Sequence, residues 1–228
     1  MSNKDKKSGD GKDNITRWIV IGMVGIVLIA GIGSALYSSH ASKVVHYPSS
    51  VSSANGYGIT LNPTAKVKVD FWEDYQCPNC RNFESVAGRF INGLITSKKI
   101  QAVFHPMSFI GPESVLAANA VACAADSGKF LNMHNALYVN QPASENSGKW
   151  NNDLLILTGI SAGVTDKKFS ACVKNGKYQN WTSQIMKDAD KQSVNSTPTM
   201  FINGKLLNSG HYLDLVALKQ DFAAVGVK

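Results

Sequence analysis

The chain has 228 residues, a formal net charge of +7 and a charged fraction of 17%, which suits one ordinary domain with additional segments. Its lysines and arginines are scattered and form no basic stripe with interleaved aromatic residues. These features argue against nucleic-acid binding and indicate a soluble basic surface.

Residues 18–37, WIVIGMVGIVLIAGIGSALY, carry no charge and are long enough to cross a bilayer as one helix of about 20 residues. Residues 1–17 contain more basic than acidic residues. The positive-inside rule therefore predicts a cytoplasmic tail over residues 1–17, a single-pass transmembrane anchor over residues 18–37 and an extracytoplasmic remainder. A signal peptide cleaved near Ser39-His40-Ala41 is the alternative, although the apolar run exceeds the roughly 7–15 residues of a usual signal core.

Residues 38–64 are rich in Ser, Gly, Asn and Pro and show no sustained helical or strand period. Such a composition is typical of a flexible tether. The sequence therefore predicts a linker over residues 38–64 and a folded domain over residues 65–228.

The folded domain is predicted to begin with a strand, a helix and a second strand. Residues 66–72, KVKVDFW, alternate and then become apolar, which is typical of a buried strand. Residues 81–97 have apolar side chains at helical intervals, and residues 100–105 form the next strand. This order predicts a parallel strand–helix–strand unit, with the CPNC segment of residues 77–80 at the strand-to-helix junction.

The middle of the domain is predicted to be helical. Pro112 and Gly128 begin and end the first helical segment. In the second helical segment, residues 129–140, His134 lies near the apolar face and is interpreted as a hydrogen-bonded packing residue. Asn203-Gly204, between two apolar runs, predicts a hairpin of type I′ over residues 196–207. The remaining predicted helices cover residues 151–158, 165–174 (capped by Thr165), 178–194 and 212–225.

The four cysteines are expected to form two pairs, because disulfides persist outside the cytoplasm. Cys77 and Cys80 form one pair by their spacing. Cys123 and Cys172 both fall on predicted helices, and a structural disulfide between them is the favoured interpretation. Two buried free cysteines are the alternative, because free cysteine packs as a small apolar residue.

The CPNC segment favours redox chemistry over metal binding. A structural zinc site usually takes two close pairs of ligands, and this chain has only one. A Cu(I) site would suit the thiolates, but the sequence marks no His or Met as a third donor. At a helix N-terminus, the dipole and free N–H groups would stabilise a thiolate at Cys77, with Pro78 at the first helical position. Cys77 is predicted to be exposed, and Cys80 would lie one turn inside the helix and be less exposed. We predict neither a metal nor an organic cofactor.

Three segments, FWEDYQCPNCRNFE, GKFLNMHNALYVNQ and STPTMFINGK, resemble the DsbA-like thiol-disulfide oxidoreductases of the thioredoxin superfamily, especially membrane-anchored forms of Gram-positive bacteria. The resemblance covers roughly residues 65–228. It implies an α/β fold, namely a thioredoxin fold with an α-helical domain inserted at about residues 107–190. It also implies a cis peptide at Thr197-Pro198 that packs against the cysteine pair and shapes a substrate groove.

The resemblance further implies an oxidase that donates a Cys77–Cys80 disulfide to folding exported proteins and is reoxidised by a quinone-linked membrane partner of the DsbB or vitamin K epoxide reductase type. Several relatives carry His where this chain has Asn79, which offers only a neutral amide. The resemblance also allows a proton-shuttling acid, for which Asp70 and Glu73 are the candidates, although a solvated charge at the end of a strand is the favoured interpretation of each. A reductase or isomerase on the same fold, and a thioredoxin-like copper chaperone or assembly factor, are the alternative functions.

Overall fold

The computed structural model describes residues 44–227. The predicted cytoplasmic tail and the predicted membrane anchor at residues 18–37 lie outside the described residues, as does the start of the predicted linker. Among the helices within residues 44–227, none is long and apolar enough to cross a membrane.

A mixed five-stranded sheet with the strand order β1-β3-β2-β4-β5 organises the fold. Strands β2 and β3 are parallel, and all other neighbouring strands are antiparallel. Helix α1, Pro78–Thr96, connects β2 to β3 and buries Phe83, Ala87 and Ile91. The predicted parallel strand–helix–strand unit is therefore confirmed. The strands are β1 Ile59–Leu61, β2 Val67–Glu73, β3 Ile100–Pro106, β4 Thr199–Ile202 and β5 Lys205–Leu206.

The prediction of a flexible linker through residue 64 is wrong at its C-terminal end. Strand β1 pairs with β3, placing the fully buried Ile59 opposite Phe104. The carbonyl oxygen of Tyr57 also accepts a 2.9 Å hydrogen bond from the indole N–H of Trp181. The folded domain therefore begins before residue 65. A strand of three residues is too short to show an alternating pattern in a stretch rich in Gly, Ser and Asn.

Five helices lie between β3 and β4, which confirms the predicted helical insertion. Helix α2 is buried on nearly all sides and contacts each of the other four, as expected for a helix that is apolar all round. A disulfide joins Cys123 on α2 to Cys172 on α5, with 5.9 Å between the two Cα atoms. The five helices are α2 Pro112–Ala125, α3 Phe130–Val139, α4 Asn152–Ser161, α5 Lys167–Lys174 and α6 Gln179–Lys191.

The predicted hairpin connects β4 to β5 through Asn203 and Gly204, whose φ angles of 49° and 79° suit a type I′ turn. The side-chain oxygen of Asn203 accepts a 2.9 Å hydrogen bond from the N–H of Lys68 and so ties the turn to β2. One predicted cap is wrong: Asp166, rather than Thr165, caps α5 by accepting from the N–H of Lys168. Helix α7, Leu215–Ala224, closes the described fold.

Candidate active site

Cys77 and Cys80 lie where the chain leaves β2 and enters α1, as predicted. Cys77 is the N-cap residue of α1, and Pro78 is the first helical residue. Both cysteines are free thiols. The prediction that Cys77 would be exposed is wrong, because only 7% of it is accessible; Cys80 is nevertheless more deeply buried, at 0%.

The backbone around the two cysteines is fixed by a residue from the helical insertion. The side-chain amide of Gln141, just after α3, donates to the carbonyl oxygens of Tyr75 at 2.7 Å and Cys77 at 3.0 Å. The N–H of Cys77 donates to the carbonyl oxygen of Asp74 at 2.9 Å. The insertion therefore holds the segment that carries the reactive sulfur, an arrangement that sequence reasoning missed because Gln141 has no local signature.

Asp74 is a fully buried carboxylate that organises the approach to the motif. It accepts hydrogen bonds from the N–H of Gln76 at 2.9 Å, the hydroxyl of Ser114 at 2.6 Å and the N–H of Ile110 at 3.1 Å. Burial raises the pKa of Asp74, and these hydrogen bonds oppose the rise. The Asp74 carboxylate therefore has a structural role, because its hydrogen bonds hold the backbone that leads into the cysteine motif.

The Thr197–Pro198 loop lies against Cys77 despite being 120 residues away in the sequence. The peptide bond between these two residues is cis, and the carbonyl oxygen of Thr197 is 3.4 Å from the Cys77 sulfur. Antiparallel pairing of β4 with β2 sets Thr199 opposite Trp72 and thereby brings the preceding loop to the motif. Thr197 and Pro198 are both half-buried.

The surroundings of Cys77 lower its pKa to about 6. The largest cause is the hydrogen bond from the Cys80 thiol, and further contributions come from the Thr197 side chain and the backbone N–H groups of Cys80 and Asn79. Burial acts in the opposite direction. The pKa of Cys80 is raised well above its ordinary value, first by burial, then by the same hydrogen bond and by the charge of Glu73. The two thiols are therefore electrostatically unequal.

Alkylation of the reduced chain at Cys77 by iodoacetamide is expected to rise with a midpoint near pH 6. At pH 7 roughly nine-tenths of Cys77 would be thiolate, whereas an unperturbed cysteine with a pKa of about 8.5 is only a few per cent ionised. A midpoint near 8.5 would contradict the assigned environment. Cys77→Ser is the control that should remove this titration.

The same pKa shift predicts how pH affects the stability of the reduced protein. Because the pKa of Cys77 is lower in the folded chain than in the unfolded chain, the thiolate contributes its full stabilisation above the unfolded value. That contribution is lost as the pH falls through about 6. Urea unfolding of the reduced and oxidised forms between pH 5 and 9 should therefore show the reduced form gaining stability relative to the oxidised form as the pH rises.

The two candidate proton-shuttling acids lie in different places. Asp70 forms an ion pair with Lys68 at 3.0 Å and contacts the ring of His105 at 3.2 Å. Glu73 is almost fully buried, and its charge acts on both active-site cysteines. Burial, followed by the charge of Glu84, raises the pKa of Glu73 well above its ordinary value. Only Glu73 is thus brought to the thiols.

Glu84 on α1 and His134 on α3 complete this buried environment. His134 is 99% buried and contacts the Tyr75 hydroxyl through Nδ1 at 3.1 Å and a Glu84 oxygen through Nε2 at 3.3 Å. The interpretation of His134 as a hydrogen-bonded packing residue agrees with these contacts. Glu84 went unnoticed in the sequence because a glutamate on a helix usually faces solvent.

Within residues 44–227, neither cysteine belongs to a cluster of three or more His, Cys, Asp or Glu side chains that could hold a metal ion. The one group of three or more His, Cys, Asp or Glu side chains with ligand atoms close together consists of Glu73, Glu84 and His134, without either cysteine.

A sheet of this topology, a CxxC pair at a helix N-terminus and a cis-proline loop beside it together define the thioredoxin-fold dithiol proteins. Residues 57–218 match the thioredoxin family. The chain is 28% identical to disulfide bond formation protein D of Bacillus subtilis (strain 168) over 163 residues, which cover 69% of this chain and 72% of that relative. The chain therefore belongs to the thioredoxin family and is a DsbA-like thiol-disulfide oxidoreductase of the Gram-positive type.

Solved structures share this fold. The thiol-disulfide oxidoreductase MdbA of Actinomyces oris superposes with a TM-score of 0.68 at 22% identity, covering 80% of this chain and 91% of that one. Oxidised BdbD of Bacillus subtilis superposes with a TM-score of 0.63 at 25% identity, covering 79% and 98%. The predicted thioredoxin fold with a helical insertion is thus confirmed.

Proposed function

We propose that this chain introduces disulfide bonds into exported proteins by transferring its Cys77–Cys80 disulfide. The observation that supports this most is the asymmetry of the two thiols, with a pKa of about 6 at Cys77 and a raised pKa at Cys80. A stabilised thiolate at Cys77 favours the reduced form, which makes the disulfide form an oxidant. The relative from Bacillus subtilis is itself named a disulfide bond formation protein.

The reaction proceeds in two exchanges. A substrate thiolate attacks the Cys77 sulfur, the Cys77–Cys80 bond breaks, and Cys80 leaves with the electron pair and takes up a proton. The second substrate thiolate then attacks the substrate sulfur of the mixed disulfide and expels Cys77 as a thiolate. The substrate thereby loses two electrons, and the dithiol of the chain gains them.

The accessibility of the two sulfurs determines which cysteine the substrate attacks first. The pKa of the leaving thiol determines how readily the second exchange occurs. Leaving-group pKa alone would favour expelling Cys77 at the first step, but Cys80 is fully buried whereas 7% of Cys77 is accessible. In the second step Cys77 leaves readily because its pKa is about 6. The N–H of Asn79 supports the thiolate through the backbone, so the neutral side chain at this position does not prevent oxidase chemistry.

Pro78, Thr197 and Pro198 are proposed to shape the site and not to react. Pro78 begins α1 without an N–H that would need a partner. Thr197 and Pro198 would line the groove that receives the substrate segment next to Cys77. Proton transfer to Cys80 by Glu73 stays a prediction, and Asp70 is less suited to that role because Lys68 and His105 engage it.

The proposal is tested by mixing the oxidised full chain with a reduced, unfolded substrate protein in the absence of other oxidants. One disulfide should appear in the substrate for each chain, and two thiols should appear at Cys77 and Cys80. Transfer without loss of the Cys77–Cys80 disulfide, or no transfer at all, would contradict the proposed function.

The proposed location is the outer face of the cell membrane, with residues 18–37 as the anchor and residues 1–17 in the cytoplasm. A quinone-linked membrane oxidase of the DsbB or vitamin K epoxide reductase type would restore the disulfide after each cycle. A reporter enzyme that works only outside the cytoplasm, fused after Thr64, should be active. Activity of a cytoplasm-specific reporter at the same position would refute this orientation.

A further inference from the structure

A groove between α1 and α3 lies beside the cysteine motif and takes no part in the chemistry proposed above. It has a volume of about 560 Å³, within the range of about 300–1,000 Å³ that is typical of ligand-binding sites. Its lining begins at Arg81, the residue after Cys80, and continues along α1 to Asn92. Neither active-site cysteine and neither residue of the Thr197–Pro198 loop lines it. The groove is therefore a surface distinct from the proposed substrate groove at Cys77.

Two arginines of α1 line this groove without a carboxylate partner of their own. Arg81 is half-buried and Arg89 is exposed. No ion pair within residues 44–227 includes either of them. A guanidinium group presents paired N–H donors that match the two oxygens of a carboxylate. The two arginines in one groove therefore favour an anionic ligand.

The acidic residue among those that line the groove does not neutralise these arginines. Glu84 is turned inward, because its side chain is only 8% exposed and one of its oxygens lies 3.3 Å from the Nε2 atom of His134. The charges of Arg81 and Arg89 therefore stay available to a ligand.

A contact between α1 and α3 fixes the shape of the groove before any ligand binds. The side-chain amide of Asn92 donates a 3.0 Å hydrogen bond to the side-chain oxygen of Asn135 and so joins the two helices. Tyr138 and Val139 add apolar surface from α3, and Val139 is 84% exposed. Arginine and tyrosine are enriched in protein interfaces. This lining suits a segment of a protein chain that is both acidic and partly apolar.

The spacing of the two arginines specifies the ligand further. They are eight residues apart on an α-helix, which corresponds to a rise of about 12 Å. In an extended chain, residues four positions apart are separated by about 13 Å and point to the same side, as does the residue midway between them. Two acidic residues four positions apart would therefore reach Arg81 and Arg89, and an apolar residue midway between them would meet Tyr138 and Val139.

We propose that the groove between α1 and α3 binds an extended, acidic segment of a protein partner, in which two carboxylates four residues apart pair with Arg81 and Arg89. The groove lies on the helix that begins at the cysteine motif, so a partner held there would stay close to Cys77 and its effective concentration would rise. Binding itself needs no thiol. It can therefore succeed or fail independently of the proposed disulfide transfer.

The test uses the oxidised full chain and a fluorescent, cysteine-free peptide of seven residues, with glutamates at its second and sixth positions, a leucine at its fourth and serines elsewhere. Fluorescence anisotropy measures the affinity, and we expect saturable binding of one peptide per chain. The matched peptide with glutamines in place of the glutamates should bind about tenfold more weakly, and added salt should weaken binding of the glutamate peptide.

Arg81→Gln and Arg89→Gln should each weaken binding of the glutamate peptide about threefold, and the double variant about tenfold, because an exposed ion pair contributes up to roughly fivefold. Val139→Asp adds a like charge at an exposed position and should also weaken binding about threefold or more. The matched control is Lys167→Gln/Lys168→Gln, which removes two positive charges from α5, outside the groove, and should leave the affinity unchanged.

Equal affinity for the two peptides, an equal effect of the α5 lysine variant, or no saturable binding would overturn the proposal. The peptide comparison uses the unaltered chain, so it stays decisive if an arginine variant fails to fold. A dimer of the chain in sedimentation experiments, dissociated by the double arginine variant, would also contradict the proposal, because the groove would then hold a second copy of this chain.

Discussion

Replacing Cys77 with serine is expected to reduce disulfide transfer to the background rate of substrate oxidation, with no covalent complex formed. Cys77 is the more accessible sulfur and the better leaving group, so both exchanges pass through it. Transfer is measured by the loss of thiols in a reduced, unfolded substrate. Retention of oxidase activity in Cys77→Ser would contradict the mechanism.

Cys80→Ser should be equally inactive but should accumulate mixed disulfides with exported proteins through Cys77. Without Cys80, the chain cannot hold an internal disulfide, but the Cys77 thiolate can still attack a disulfide of an exported protein, expel one substrate thiolate and form a mixed disulfide that no neighbouring thiol of the chain resolves. Non-reducing gels of cells that express each variant measure the complexes, and Cys77→Ser/Cys80→Ser is the matched control that should form none. Trapping that required Cys80 instead would reverse the assigned roles.

Removing the Cys123–Cys172 disulfide is expected to cause a large loss of stability in the folded domain. The bond closes a loop with a sequence separation of 49 between α2 and α5, for which chain entropy gives about 4 kcal/mol. For a domain of this size, that corresponds to a fall of roughly 8–16 °C in Tm. Thermal unfolding of Cys123→Ala/Cys172→Ala against the parent chain measures it.

The matched background for this experiment is Cys77→Ser/Cys80→Ser, in which the active-site cysteines cannot confuse the thiol count. That variant, unfolded without reduction, should contain no titratable thiol, because the remaining two cysteines are joined. Two titratable thiols, or a Tm unchanged by the alanine substitutions, would show that the bond does not stabilise the protein in solution.

The parts of the fold that the sequence predicts well carry strong local signals. Helix α1 begins at Pro78, where a proline at the first helical position is favourable, and the β4–β5 turn uses Asn203 and Gly204, where positive φ angles are required. Strand β1 was missed because its stability comes from pairing with β3, which no pattern within Ile59–Leu61 records. Local chemistry thus predicts element types better than it predicts domain edges.

The candidate site shows the same difference between residues with a local sequence signal and residues that depend on contacts between distant segments. The spacing of Cys77 and Cys80, and their place at a strand-to-helix junction, indicate redox chemistry directly. The role of Thr197 was predicted from the resemblance to a family and not from spacing. Gln141, Glu84 and the role of His134 depend on contacts between segments more than 40 residues apart, which one sequence does not reveal. The low exposure of Cys77 was likewise unpredictable, because it depends on the tertiary surroundings of the sulfur.

The measurement that tests the central claim most directly is a redox equilibrium of the full chain with reduced and oxidised glutathione, followed by the fraction of Cys77–Cys80 disulfide. Because the pKa of Cys77 is about 6, its thiolate stabilises the reduced form of the chain relative to the disulfide form. We expect a potential more oxidising than about −200 mV, in the range of proteins that donate disulfides. A potential near −270 mV, the value of a reducing thioredoxin, would contradict an oxidase and make the chain a reductase.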